Sequence, residues 1–225
     1  MMNLTRYGFD CCVGGFFEIS TKDARRILPD HLQPVEIQHE RSVMAALAFR
    51  FSDSEVGEYD ELVLAVITPP LVESGRALPK AAFFPFMVAT STDASREHAI
   101  ERWKLPHHPE ALDFSFQESD GAMTVVVSDQ GEPVVELTVT EHDFAPVTNP
   151  YHCFTSGESV GSEGNFKVNI FQDAPHSEHE EEEGELILHP HPMTSMLTLE
   201  EVSSFPFREE WYRAGVQTFE ELETL

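Results

Sequence analysis

The chain has 225 residues, 41% hydrophobic and 10% aromatic, enough for one large domain, residues 1–225, with a core of its own. Forty acidic residues against fourteen basic ones give a formal net charge of -26, which excludes nucleic acid and anionic membrane surfaces as partners. Only Lys22, Lys80, Lys104 and Lys167 are lysines, so amine chemistry has few candidates.

The opening "MMNLTRYGFDCCVGGFF" carries Asp10 and two glycines, and it lacks the positive start and unbroken apolar stretch of a secretory signal. No run approaches the roughly 20 apolar residues of a membrane span, and a cytoplasmic protein is expected. Three cysteines without CxxC spacing make neither a disulfide framework nor a zinc motif. Cys11 and Cys12 read as small, half-buried residues of a strand or turn.

"STKDARRILPDHLQPVEI" reads as a short helix that Ser20 or Thr21 caps and Pro29 stops. "SVMAALAFRF" and "ELVLAVIT" follow as two buried strands of a hairpin, joined through "SDSEVGEYD". "KAAFFPFMVAT" is a further apolar segment, in which Pro85 marks a bend or an edge position. "DASREHAIERW" is the clearest helix, with Asp93 as its cap and Pro106 beyond its end. "AMTVVVS", "EPVVELTVT", "NFKVNIF" and "ELILHP" read as strands, and "FREEWYRAG" and "TFEELETL" as two short terminal helices.

Strands so numerous, without regular strand–helix alternation, predict an α+β fold: a mostly antiparallel β-barrel or sandwich with a few short helices. The stretch "HSEHEEEEGELILHPHP" reads as a solvated hairpin tip at Glu180–Glu183, with His189 and His191 sharing a strand face.

Four segments in order, "ILPDHLQPVEI", "SEVGEYDELVLAV", "FFPFMVATS" and "REHAIERWKLPHHP", resemble the landmarks of the acetoacetate decarboxylase-like superfamily. The likeness covers roughly residues 16 to 140. It implies a cone-like antiparallel β-barrel around a buried pocket, usually in an oligomer, so that a homo-oligomer is expected. It also implies that Glu61 of "GEYDE" points into that pocket; the residues alone are equally compatible with a surface hairpin carboxylate.

The likeness breaks where that family places its Schiff-base lysine. Its motif runs Trp-Gly-hydrophobic-Pro-Lys, whereas this chain has Trp103, Lys104, Leu105, Pro106 and then His107 and His108. Decarboxylation of a β-keto acid leaves a carbanion that needs an electron sink. A neutral lysine supplies one as an iminium, and imidazole has no primary amine with which to do so. Lys104 stands at the motif's glycine, three residues before His107. Lys80 in "ALPKAAFF" mimics the motif but comes too soon after Glu61 and lacks the preceding helix.

Several roles stay open for the histidines. With a pKa near about 6.5, His107 serves as a general acid or base beside Glu61 in an enzyme acting on a small keto acid. The pocket alternatively serves a catalytically silent binder of a small hydrophobic or carboxylic ligand. A metal held by His107 or His108 with Glu61 or His152 is a third reading, and a polar turn bracketed by Pro106 and Pro109 is the plainest.

The catalytic candidates are Glu61, His107, His108 and Lys104; Tyr59, Met87 and Arg102 are candidate substrate contacts. No cofactor and no metal is assigned, and the expected partner is a small-molecule ligand or substrate.

Overall fold

The computed structural model describes residues 4–225. In chain order the elements are β1 (Thr5–Ser20), α1 (Thr21–Ile27), β2 (Glu36–Gln38), β3 (Arg41–Asp53), β4 (Tyr59–Thr68), β5 (Ala81–Thr90), α2 (Asp93–Trp103), β6 (Asp113–Ser119), β7 (Ala122–Asp129) and β8 (Glu132–Thr140). They continue as β9 (Ala145–Ser156), β10 (Asn165–His179), β11 (Glu185–Leu188), β12 (Arg208–Tyr212), β13 (Gly215–Phe219) and β14 (Glu223–Thr224).

β3, β4 and β5 form an antiparallel meander. β1 adds to β3, β9 adds to β5, and β10 adds to β9. β12 and β13 then lie between β1 and β10, each antiparallel to both, as one interrupted strand that closes the ring. The result is a seven-stranded barrel whose single parallel strand pairing is β5 with β9. A second, four-stranded antiparallel sheet, β11-β8-β7-β6, packs outside it.

Two hydrophobic clusters follow from this layering. One fills the barrel, with Phe9, Phe49 and Tyr151 among its members. The other lies between barrel and outer sheet and includes Val125, Leu137 and Trp211. Most barrel strands are therefore buried on both faces, which explains their near-continuous apolar runs.

Bulges decide which residues look inward. In β1 the register passes from Phe9↔Phe51 to Cys11↔Arg50, leaving Asp10 over, so the inward set changes from Tyr7 and Phe9 to Cys12 and Gly14. In β5 Phe86 is the extra residue between Pro85↔Ala65 and Met87↔Leu64. Pro85 thus sits at a bulge of an interior strand: the expected bend is present, and the strand is not an edge.

Four local readings need correction. Thr92, not Asp93, caps α2, its hydroxyl accepting the Ser95 N–H at 3.2 Å. "FREEWYRAG" and "TFEELETL" form strands β12 to β14 instead of helices, because pairing with β1 and β10 satisfies their backbone and splits their side chains between the barrel's two faces. Glu180–Glu183 are exposed as expected, but they cross from the barrel to the outer sheet and do not tip a hairpin. His189 and His191 follow β11 and do not share a strand face; they bond Glu136 at 2.9 Å and Asp129 at 3.3 Å.

Candidate functional site

The barrel encloses a cavity of about 90 Å³. At roughly 10–15 Å³ per water-sized group, that is room for about six to nine non-hydrogen atoms. The pleat builds its wall: strands contribute residues two apart, such as Glu61 and Val63 from β4, Tyr151 and Cys153 from β9, and Glu210 and Tyr212 from β12. The wall is mostly apolar and, among the described residues, contains no lysine, arginine or histidine.

Glu61 is 8% exposed, and among the described residues no hydrogen-bond partner meets its carboxyl. Burial alone pushes its carboxyl from 4.5 up to about 8, so at neutral pH it is largely the protonated acid. Across the wall, the Tyr151 and Tyr212 hydroxyls are in hydrogen-bond contact, Asn149 Nδ2 donates to Tyr212 Oη at 2.7 Å, and Tyr151 Oη approaches Glu210 Oε2 at 3.5 Å. Burial raises Glu210 as well, opposed by the nearby Lys80 ammonium. Gln217 donates to Gln172 at 2.7 Å, and the Gln172 amide nitrogen is left without a partner. The polar equipment of the cavity is therefore two carboxyls, two phenols and two amides, all in a setting that favours neutral forms.

The Cys12 and Cys153 thiols also face this space. Burial holds Cys12 well above its ordinary value and lifts Cys153 to about 12. Both should stay unlabelled by iodoacetamide at about pH 8 over a time in which the urea-unfolded chain labels fully, as followed by intact mass.

Of the residues proposed from the sequence, Glu61 lines the cavity. His107 forms a parallel bridge with Val88, which places both on the same side of the sheet. Its two ring nitrogens are buried without partners, and burial, with a smaller push from Arg96, brings it down to about 4. Leu105, two residues earlier, is the member of this segment that reaches the cavity wall. His108 turns the other way, its ring 5.1 Å from that of His191.

Lys104 occupies the left-handed C-cap of α2 (φ 56°), and its Nζ donates to the Glu101 carbonyl at 2.8 Å, away from the cavity. This is the backbone conformation that favours glycine. Lys104→Gly is expected to stabilise the protein by about 1 kcal/mol in urea denaturation.

Tyr59 packs on Phe51 and borders a separate polar cleft, and Met87 packs between barrel and outer sheet. Arg102 donates to Thr5 Oγ1 at 2.6 Å and lies over the Trp103 ring. The Lys80 Nζ lies 3.1 Å from Glu210 Oε1, and Lys80 is not itself among the lining residues.

Sequence reasoning did not find Tyr151, Glu210, Tyr212, Gln172 or Gln217. Period-two spacing in "YHC" and "EEWY" is the signal that a strand reading would have used.

No family model and no curated protein matches this sequence. Solved structures do. An acetoacetate decarboxylase matches with a TM-score of 0.66 at 12% identity, over 99% of this chain and 89% of that one. The acetoacetate decarboxylase of Legionella pneumophila gives 0.62 at 14% identity, over 100% and 88%. The enduracididine biosynthesis enzyme MppR, complexed with pyruvate, gives 0.64 at 13% identity, over 98% and 89%. At such low identity the likeness is one of architecture, and it extends over the whole barrel and the outer sheet together: this chain has the acetoacetate decarboxylase-like fold.

Proposed function

We propose that the barrel cavity takes a small keto acid or related carbonyl compound and that Glu61 carries out lyase-like acid–base chemistry on it without a lysine imine. The observation that carries this reading is the Glu61 carboxyl itself: buried, unpaired, facing the cavity and held as an acid near neutral pH. A carboxylic acid in that state donates a hydrogen bond to a carbonyl oxygen or delivers its proton to an enolate carbon. The Tyr151 and Tyr212 hydroxyls supply further donors for a developing oxyanion. The cavity volume suits a compound of the size of acetoacetate or pyruvate, and the pyruvate complex of MppR, on the same fold, points to the same substrate class. The lysines argue for the imine-free route: among the described residues none lines the cavity.

The test is incubation with short keto acids in heavy water, following CO2 release and deuterium incorporation by NMR, with borohydride present in a parallel sample. Turnover or exchange that is lost in Glu61→Gln, with no reduced adduct by intact mass, is the expected result. An adduct mapped to Lys80 or Lys104 would overturn the imine-free route.

A second reading, a silent binder, draws on the apolar wall, in which no described residue is a cation that could hold and activate a carboxylate. It is favoured if ligands raise the melting temperature saturably while neither product nor exchange forms.

A further inference from the structure

Beside the cavity, on the face that Glu210 and Tyr212 share, His176 and Glu178 of β10 meet Glu210 of β12. The strand register sets Glu178 directly opposite Glu210 and His176 opposite Tyr212. Two carboxylates directly opposed on neighbouring strands repel unless a cation lies between them. One ligand atom from each of His176, Glu178 and Glu210 lies within 4.8 Å of the others.

The imidazole is the independent sign. His176 is 7% exposed, its Nε2 has no hydrogen-bond partner, and that atom lies 4.0 Å from Glu210 Oε2. Its ring stacks on Tyr212 at 4.1 Å and 21°, which packs it on the face of the sheet that carries Glu210. A buried ring nitrogen without a partner calls for an explanation. Lys80 places its Nζ 2.7 Å from Glu178 Oε2 and 3.1 Å from Glu210 Oε1, while Arg208 Nε lies 3.4 Å from Glu178 Oε1. These cations offset the carboxylate charge but leave the imidazole nitrogen unserved.

We propose that His176, Glu178 and Glu210 form a binding site for a divalent transition-metal ion of the zinc, cobalt or manganese class, and that Lys80 is the competing cation that occupies it in the metal-free form. One imidazole and two carboxylates are a mixed nitrogen and oxygen donor set that suits such ions, and three protein ligands leave a position open for another molecule. Bonds of about 2.0–2.2 Å put tetrahedral ligand atoms roughly 3.5 Å apart, so the trio must draw in by about 1 Å. The half-exposed Glu178 side chain has the freedom to do this.

Because Glu210 and Tyr212 also line the cavity, an ion here sits at its wall. There it would act as a Lewis acid toward a carbonyl oxygen, supplying the electron sink that the absent imine lysine does not. That role rests on the carbonyl reading of the cavity; the binding site itself does not. It also departs from the sequence expectation that no metal is held.

The experiment uses the full chain, treated with chelator and dialysed, then titrated with Co2+ while visible absorption is recorded, and with Zn2+ by calorimetry. One equivalent is expected to bind tightly with the absorption of a low-coordinate cobalt site. Glu178→Gln, at a half-exposed position that does not threaten the fold, and His176→Ala are each expected to weaken it more than about tenfold. His189→Ala, in a different histidine–carboxylate pair, is expected to leave it unchanged, and Lys80→Ala to tighten it severalfold. Binding that is indifferent to Glu178→Gln and His176→Ala, or no tight equivalent even in Lys80→Ala, would overturn the site and leave only diffuse attraction to an acidic surface. No substrate enters this measurement, so a failure of the carbonyl chemistry and a failure of the metal site are read separately.

Discussion

Glu61→Gln is expected to make the folded protein more stable above neutral pH while removing acid–base turnover. Burial raises the Glu61 carboxyl from 4.5 to about 8, so between these values the folded chain holds a proton that the unfolded chain has released. Folding then takes up a proton, and stability falls as pH rises through that window; the contribution is intact below about 4.5 and lost above about 8. At 1.36 kcal/mol per unit, the shift corresponds to a loss on the order of 5 kcal/mol across the window.

Glutamine keeps the shape of the side chain and does not titrate. Urea denaturation of both proteins at about pH 5, 6.5 and 8 should therefore give nearly equal stabilities at the lowest pH and a widening advantage for Glu61→Gln toward the highest. Glu210 titrates in both proteins, so the difference between the curves isolates Glu61. Turnover, where it is found, should fall by about 10²–10⁴. Parallel curves would show that Glu61 ionises in the fold as it does in water, and the acid proposed for the chemistry would be gone.

The largest structural loss is expected from Glu209→Ala. Glu209 adjoins Glu210 on β12, but its side chain leaves the barrel on the opposite face and is 0% exposed. Its Oε2 accepts the Thr140 N–H at 2.7 Å and the Thr140 hydroxyl at 3.0 Å; its Oε1 accepts the Glu183 and Gly184 N–H groups at 3.0 and 2.8 Å. One carboxylate thereby ties the end of β8 and the acidic crossing segment to the barrel. Gly184 permits the approach, since a Cβ there would lie 2.6 Å from Glu209 Oε2 and 2.5 Å from the Thr138 carbonyl.

Alanine would take this acceptor from the Thr140, Glu183 and Gly184 N–H groups, while the Thr140 hydroxyl keeps His179 Nε2 at 3.0 Å, at a cost of about 3 kcal/mol in urea denaturation. Faster hydrogen exchange at the Glu183 and Gly184 amides should accompany it. Glu209→Gln retains one acceptor oxygen and should cost distinctly less. Equal stability of Glu209→Ala and the parent would mean that water takes over the three backbone bonds.

What the sequence determined by itself is the part of the molecule specified by neighbours in the chain. The β3–β4 hairpin, the β5 segment and α2 are legible because their apolar runs, turn residues and terminal signals lie within a few positions of one another. The four landmark segments carried the likeness to the acetoacetate decarboxylase fold, and the structure has that fold. They also placed Glu61 on a strand end, where the pleat directs it into the barrel.

Tertiary structure alone decided the rest of the cavity. "REEWYRAG" satisfies a helical reading locally, and only docking between β1 and β10 makes it a strand that sends Glu210 and Tyr212 inward and Glu209 and Trp211 outward. A one-residue change of parity at Asp10 selects Cys12 and not Cys11 for the cavity, and no property of the two adjacent cysteines distinguishes them beforehand. His107 and Lys104 show the same limit from the other side. The sequence places them beside the site, but the bridge to Val88 and the left-handed turn at Lys104 determine which way their side chains leave the backbone. These are consequences of long-range pairing, which no local pattern encodes.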